Sequence, residues 1–79
     1  MDAKLTIDAT GLLCPLPVLK LAKAMRGMAV DEIACLRATD PAAVIDVPHF
    51  CAEQGHELVA TEELAEETQY FVQKRPKSP

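Results

Sequence analysis

The chain is 79 residues long and has a formal net charge of −4 at pH 7, with eight Lys and Arg residues scattered along it. This size predicts one domain over residues 1–79, with a flexible tail over about residues 75–79. The acidic balance argues against nucleic-acid binding, which needs clustered cations, and no apolar run approaches the roughly 20 residues of a membrane span. Three cysteines do not make a secreted disulfide framework and the N-terminal residues are unlike a signal peptide, so we expect a cytoplasmic protein.

The first half of the chain has the pattern of a strand, a helix and a second strand. Residues 4–9 alternate apolar and polar side chains, which predicts a strand. Apolar side chains recur at helical spacing from Val18 to about Arg26, and Gly27 follows as a natural helix end. Residues 30–39 alternate again and predict the second strand.

A second helix follows directly after the second strand. Asp40 suits its N-cap and Pro41 suits its first helical position. Pro48 withholds a backbone donor inside this helix, so we expect a kink or a short break there. Gly55 is expected to end the helix.

The last part of the chain predicts two strands joined as a hairpin, at residues 57–61 and 68–74. The acidic residues 62–67 between them include no Gly, Asn or Pro, so a longer loop or a turn of helix is expected. The order βαβαββ predicts a two-layer α/β sandwich, with a mixed four-stranded sheet and two helices on one face. The two crossovers imply parallel neighbouring strands, and the hairpin adds an antiparallel pair.

Residues 14–17 (C-P-L-P) lie between the first strand and the first helix and have the strongest chemical signal. Cys14 is an N-cap candidate there, with Pro15 at the first helical position and Pro17 in the first turn, where its missing N–H costs little. The Leu16 N–H would then face the sulfur, and the helix dipole would favour the nucleophilic thiolate. A Pro-initiated helix with a buried, unreactive cysteine fits the same spacing equally well.

Other cysteine chemistries fit the sequence less well. A dithiol oxidoreductase needs a second cysteine three residues after Cys14, where Pro17 stands. A metal site at His49, Cys51 and His56, with or without Cys14, lacks the paired ligand spacing of zinc sites. The predicted helix also turns His49 outward and Cys51 inward, which makes Cys51 a packing residue.

Hydrolysis and phosphate binding are not indicated either. Neither histidine has a sequence context that places it beside Cys14 as a base, and three separated glycines make no phosphate-binding loop. Cys35 is interpreted as a packing residue of the second strand. A single activated thiol suits the transfer of sulfur between proteins as a persulfide, because this exchange needs a thiolate and access more than a base.

Residues 8–17 (D-A-T-G-L-L-C-P-L-P) resemble the opening of the TusA/SirA-like sulfur-carrier family, whose hallmark is C-P-x-P after a D-x-x-G-L lead-in. The resemblance continues at residues 38–41 (A-T-D-P), 46–51 (D-V-P-H-F-C) and 55–58 (G-H-E-L). It covers the whole chain apart from the last few residues, and it implies a two-layer fold of βαβαββ type.

The resemblance also implies how the site works. Cys14 would bear sulfur as a persulfide, with Pro15, Leu16 and Pro17 supporting it and no metal or organic cofactor. The sulfur would come from a cysteine desulfurase or a rhodanese-like donor. It would pass to a downstream relay protein for 2-thiouridine formation in tRNA, for molybdenum-cofactor maturation or in sulfur-oxidising metabolism. Asp40 would border the cysteine and help to position partners, although an N-cap role alone would explain it. We expect a monomer.

The sequence departs from the family at two places. The linker at residues 62–67 is acidic and lacks the glycine common in the family's loop, and Leu13 stands where some relatives have a basic residue. Two other functions stay open. One is a non-catalytic interaction or regulatory module in which Cys14 is only a cap, and the other is a thiol redox sensor in which Cys14 pairs with Cys35 or Cys51.

Overall fold

The computed structural model describes residues 2–76 and has the predicted order of elements. These elements are β1 (Leu5–Ala9), α1 (Leu16–Arg26), β2 (Ile33–Ala38), α2 (Ala43–Gln54), β3 (Glu57–Glu63) and β4 (Thr68–Gln73). The strands form one four-stranded mixed sheet, so the predicted two-layer α/β fold is confirmed. Of the predicted tail, residues 77–79 lie outside the described residues.

The strand order of the sheet is β1-β2-β4-β3. β1 and β2 are parallel neighbours, as the first crossover predicts. The prediction that the second crossover also joins neighbours is wrong, because β4 lies between β2 and β3 and is antiparallel to both. Residues 70–72 of β4 are all buried, whereas no residue of β3 is fully buried. The more apolar strand of the hairpin therefore takes the central position, and the more polar β3 forms an edge.

Both helices pack on one face of the sheet and enclose the hydrophobic core. α1 contributes Leu21 and Met25, and α2 contributes Val47 and Cys51, all of them buried. The strands supply Ile7, Ala9, Ala34, Leu36, Ala38, Tyr70 and Val72. On each of the three strands these residues follow the period of two that places alternate side chains on the helix-covered face.

The opposite face of the sheet bears a polar cluster that ties two strands together. Two guanidinium nitrogens of Arg37 on β2 donate to the two carboxylate oxygens of Glu67, at 2.7 and 2.8 Å. The Gln69 side-chain amide donates to the same carboxylate at 3.0 Å. These contacts lower the pKa of Glu67 to about 2, mainly through the hydrogen bonds from Arg37 and Gln69.

The hairpin and its loop are of the predicted type, but β3 is longer and the loop is shorter than the sequence predicts. β3 extends to Glu63, so the first two residues of the predicted acidic linker belong to the strand. The connection is the loop at residues 64–67, which the Leu64 N–H closes by donating to the Glu67 carbonyl at 2.8 Å. The expected loop longer than two residues is confirmed.

Two element boundaries in the first half differ from the sequence prediction. α1 begins at Leu16, two residues earlier than predicted, and β2 begins at Ile33, three residues later. β2 begins later because Ala29 and Glu32 close a tight turn just before it. The Ala29 N–H donates to the Glu32 carboxylate at 2.8 Å, and the Glu32 N–H donates to the Ala29 carbonyl at 3.2 Å.

α2 begins at Ala43 and runs unbroken through Pro48 to Gln54, so the expected short break is absent from it. The helix ends as predicted at Gly55, which has a φ of 75°. This left-handed conformation suits glycine because it has no Cβ.

Candidate functional site

Cys14 lies exposed in the loop that connects β1 to α1. The N-cap of α1 is Pro15, so the prediction that Cys14 itself caps the helix is wrong. Pro17 sits within the first turn of α1, where a missing amide donor leaves no partner unsatisfied. The Leu16 N–H donates to the Leu13 carbonyl at 2.9 Å, which corrects the prediction that this N–H faces the sulfur. A backbone turn across residues 13–16 uses the donor that a thiolate would have needed.

Asp40 joins this loop to the start of α2. Its Oδ2 accepts a hydrogen bond from the Cys14 N–H, and its Oδ1 accepts one from the Ala42 N–H at 3.0 Å. The N-cap residue of α2 is Ala42, so the prediction of Asp40 at this position is wrong. The Asp40 carboxylate instead binds the Ala42 N–H in the turn that leads into the helix. Beside it, the Gly11 N–H donates to the Thr39 hydroxyl at 2.9 Å. The loops after the parallel strands β1 and β2 are thus bonded to each other at the carboxyl edge of the sheet, where α/β folds place their sites.

A small hollow of about 200 Å³ opens beside Cys14 between the two helices. Its apolar lining includes Val18 from α1 and Phe50 from α2. The other α2 residues that line it are Asp46, His49 and Glu53. The sequence prediction missed Asp46 as a site residue. Asp46, His49, Phe50 and Glu53 follow helical spacing along one stripe of α2, but this spacing does not show that the stripe faces residue 14.

The charges around Cys14 act against ionisation of its thiol. Asp46 lines the same hollow as Cys14, and hydrogen bonding between its carboxylate and the thiol is the main cause that raises the pKa of Cys14 above its usual value. Partial desolvation and the negative charges of Asp46 and Asp40 raise the pKa further. The prediction that the helix start lowers the pKa of Cys14 is wrong for the free protein, because Asp46 and Asp40 raise this pKa and the Leu16 N–H is bonded to the Leu13 carbonyl.

The other two cysteines differ from Cys14 in their environment. Cys35 lies on the helix-free face of the sheet and Cys51 in the core, and both are buried. Burial raises the pKa of both thiols, that of Cys51 to about 11. Their interpretation as packing residues fits this burial, which disfavours the hypothesis of a redox pair with Cys14.

His49 points outward and Cys51 inward on α2, as the helical pattern predicts. His49 shares the hollow with Cys14, which no sequence context indicated, and its Nε2 lies 3.1 Å from the Glu53 carboxylate. Within residues 2–76, no three His, Cys, Asp or Glu side chains are grouped so that they could hold a metal ion.

Exposed apolar side chains lie in the Cys14 loop and in the segments that follow β2 and β3. Leu13 and Leu16 flank it in sequence, and Val44 and Ile45 lie at the start of α2. Leu64, from the loop between β3 and β4, lines a groove together with Val44 and Asp40. Single exposed apolar residues are ordinary, but a group at the end of the sheet that bears the exposed Cys14 indicates a surface for a partner.

Comparison with known proteins assigns the family. A model of the family described as sulfurtransferase TusA matches residues 5–74. The chain belongs to the TusA family. It is 43% identical over 70 residues to the sulfur carrier protein TusA of Pseudomonas entomophila (strain L48), which covers 89% of this chain and 88% of the relative. The predicted resemblance to the TusA/SirA-like family is thereby confirmed, and membership supports a sulfur-carrier role.

The fold is also that of a solved structure. The crystal structure of a SirA-like protein from Desulfitobacterium hafniense superposes with a TM-score of 0.79 at 18% identity, over 91% of this chain and 99% of that one. At this identity the likeness concerns the fold alone. Within residues 2–76, neither helix reaches the length and apolar character that crossing a bilayer requires.

Proposed function

We propose that this protein carries sulfur as a persulfide on Cys14, which it receives from a donor protein and delivers to an acceptor protein. The observation that supports this most directly is the position of Cys14. It is the exposed cysteine of the three, and it lies in the loop that resembles the hallmark motif of the family. Cys35 and Cys51 are buried, so neither is accessible to a partner's persulfide.

The transfer is a thiol exchange at sulfur. The Cys14 thiolate attacks the outer sulfur of a donor cysteine persulfide, a new S–S bond forms on Cys14, and the donor's S–S bond breaks. The donor cysteine leaves as a thiolate and takes up the proton that Cys14 released. One persulfide and one thiol are consumed and one of each is formed, so the exchange needs no oxidant, metal or organic cofactor. Delivery to the acceptor repeats the same step in the opposite direction.

The residues around Cys14 are proposed to position its sulfur. Asp40 anchors the Cys14 backbone through its N–H. Pro15 and Pro17 restrict the backbone on the far side of Cys14, and Leu16 closes the turn with Leu13. The sulfur is thereby presented at the surface on a backbone that is fixed on both sides.

The partners are proposed to be proteins that dock on the apolar side chains around Cys14. A cysteine desulfurase or a rhodanese-like protein would be the donor, and a downstream sulfur-relay protein would be the acceptor. The pathway would be tRNA 2-thiouridine formation, molybdenum-cofactor maturation or sulfur oxidation, in the cytoplasm. The carrier would act as a monomer, without direct contact to nucleic acid or membrane.

The test is persulfide loading followed by mass spectrometry. Incubation with a cysteine desulfurase and cysteine is expected to add one sulfur atom, about 32 Da, to the intact protein. Cys14→Ser should abolish the gain, whereas the matched variants Cys35→Ser and Cys51→Ser should keep it. Loading that persists on the Cys14→Ser protein would refute the assignment of Cys14.

A second candidate is an interaction module in which Cys14 has no chemistry. The raised pKa of Cys14 favours it, since a protonated thiol is a poor nucleophile. If the protein is such an interaction module, the wild-type protein should bind a partner without any gain of sulfur. The same mass measurement therefore separates the interaction module from the persulfide carrier.

A further inference from the structure

Charged and titratable side chains face Cys14 from α2 and from the turn before α2. From α2 they are Asp46, His49 and Glu53, and from the turn before α2 there is Asp40. α1 and its N-cap contribute the uncharged Val18 and Pro15. His49 is directed at Glu53, 3.1 Å away. Among the described residues that line this hollow there is no Lys or Arg.

Asp46 and Asp40 contact different parts of Cys14. The Asp40 carboxylate is bonded to two backbone N–H groups, which partly compensate its charge. The Asp46 carboxylate lines the same hollow as the sulfur, and it can accept a hydrogen bond from the thiol only while the thiol keeps its proton. A thiolate at Cys14 would therefore have no proton to donate to the Asp46 carboxylate. The negative charge of Asp40 would be its second unfavourable neighbour.

On this geometry, and resting on the proposed persulfide function, we propose that Asp46 is a positioning residue that holds Cys14 as a protonated thiol in the free protein. We propose further that loading requires a cationic side chain of the partner against the Asp46 carboxylate. The free carrier is then protected from unspecific thiol chemistry, and docking at the correct partner activates it.

The activating step conserves charge and atoms. A Lys or Arg of the partner pairs with the Asp46 carboxylate and removes the repulsion that opposes the Cys14 thiolate. The proton leaves Cys14 and ends on the donor cysteine, which departs as the leaving thiolate. Asp46 therefore takes no part in bond making or breaking, and its effect is exerted through the ionisation of Cys14.

The first experiment measures the alkylation of Cys14 by iodoacetamide as a function of pH. Asp46→Asn keeps the size of the side chain and removes its charge. The Asp46→Asn profile should move to lower pH, and the rate at pH 7 should rise at least about threefold because more thiolate is present. The matched variant Glu53→Gln loses a carboxylate from the same hollow, but one directed at His49, and its profile should stay close to that of the wild type.

The second experiment tests the partner cation with two small disulfides of opposite charge. Cystamine has two ammonium groups and dithiodipropionate has two carboxylates, and both react with a thiolate by disulfide exchange. Wild-type Cys14 should react faster with cystamine, and Asp46→Asn should reduce this preference severalfold. Because the preference is electrostatic, 1 M salt should reduce it in the wild type as well, which tests the proposal without any variant.

Either result can overturn the proposal. An Asp46→Asn profile that coincides with the wild type, or moves to higher pH, would refute the effect of Asp46 on Cys14. An unchanged preference between the two disulfides would refute the requirement for a partner cation. Neither experiment uses persulfide, so a failure of the loading test would be distinguished from a failure of this inference.

Discussion

The Cys14 N–H donates a hydrogen bond to the Asp40 carboxylate, across 26 residues of sequence. The same carboxylate accepts the Ala42 N–H. One side chain therefore holds the Cys14 loop after β1 against the turn after β2, and the position of the sulfur depends on it.

Asp40→Ala is expected to lower the free energy of unfolding by about 1–3 kcal/mol, because two backbone donors lose a charged acceptor. Urea denaturation measures this change. Asp40→Asn keeps one acceptor oxygen and should lose less stability. The Asp40→Ala protein should also load sulfur more slowly, since the loop is no longer fixed, and wild-type values for both stability and loading would contradict the role of Asp40.

Ile45 tests the docking surface. Its side chain is 74% exposed at the start of α2, so Ile45→Ser should change stability by less than about 0.5 kcal/mol. Loading from a cysteine desulfurase should nevertheless slow, because apolar contact area with the partner is lost. Alkylation of Cys14 by iodoacetamide should remain at the wild-type rate.

Val30→Ser is the matched control for Ile45→Ser. Val30 is also exposed, but it precedes β2 and so lies at the opposite edge of the sheet from Cys14. This variant should load at the wild-type rate. Equal slowing by both substitutions would show that the loss of loading does not come from the surface around Cys14.

Glu67 should give the protein a measurable dependence on acid pH. Its pKa is about 2 in the folded protein and 4.5 in the usual case, so above pH 4.5 it is ionised in both states and the Arg37 pair contributes fully. As the pH falls from about 4.5 to about 2, the unfolded chain binds the proton first, and this contribution is lost. Thermal unfolding between pH 6 and pH 2.5 measures the loss.

Glu67→Gln should flatten that part of the pH profile. Glu66→Gln is the matched control, since Glu66 is exposed on the same loop, and its profile should follow that of the wild type. A wild-type slope in the Glu67→Gln protein would mean that another carboxylate is responsible.

The element order could be predicted from sequence, and Cys14 could be proposed as the functional cysteine, because both signals are local. The alternation along β1, the helical spacing of α1 and Gly55 after α2 each depend on a few neighbouring residues. The motif at residues 14–17 likewise identified Cys14 before any contact was known. The local signal at Pro48 predicted a kink or a short break. The helix is nevertheless unbroken there, because the packing of the rest of α2 stabilises it.

The strand order and the ionisation of Cys14 were decided only by the tertiary structure. β4 takes the centre of the sheet because residues 70–72 are buried there, a preference that depends on both faces of the assembled sheet. Asp46 is 32 positions from Cys14 in the sequence, and only the packing of α2 against α1 brings its charge to the sulfur. Local pattern therefore determined which atom is proposed to react, and contacts between distant residues determined the pKa of its thiol, because Coulomb interactions depend on distance in space and not along the chain.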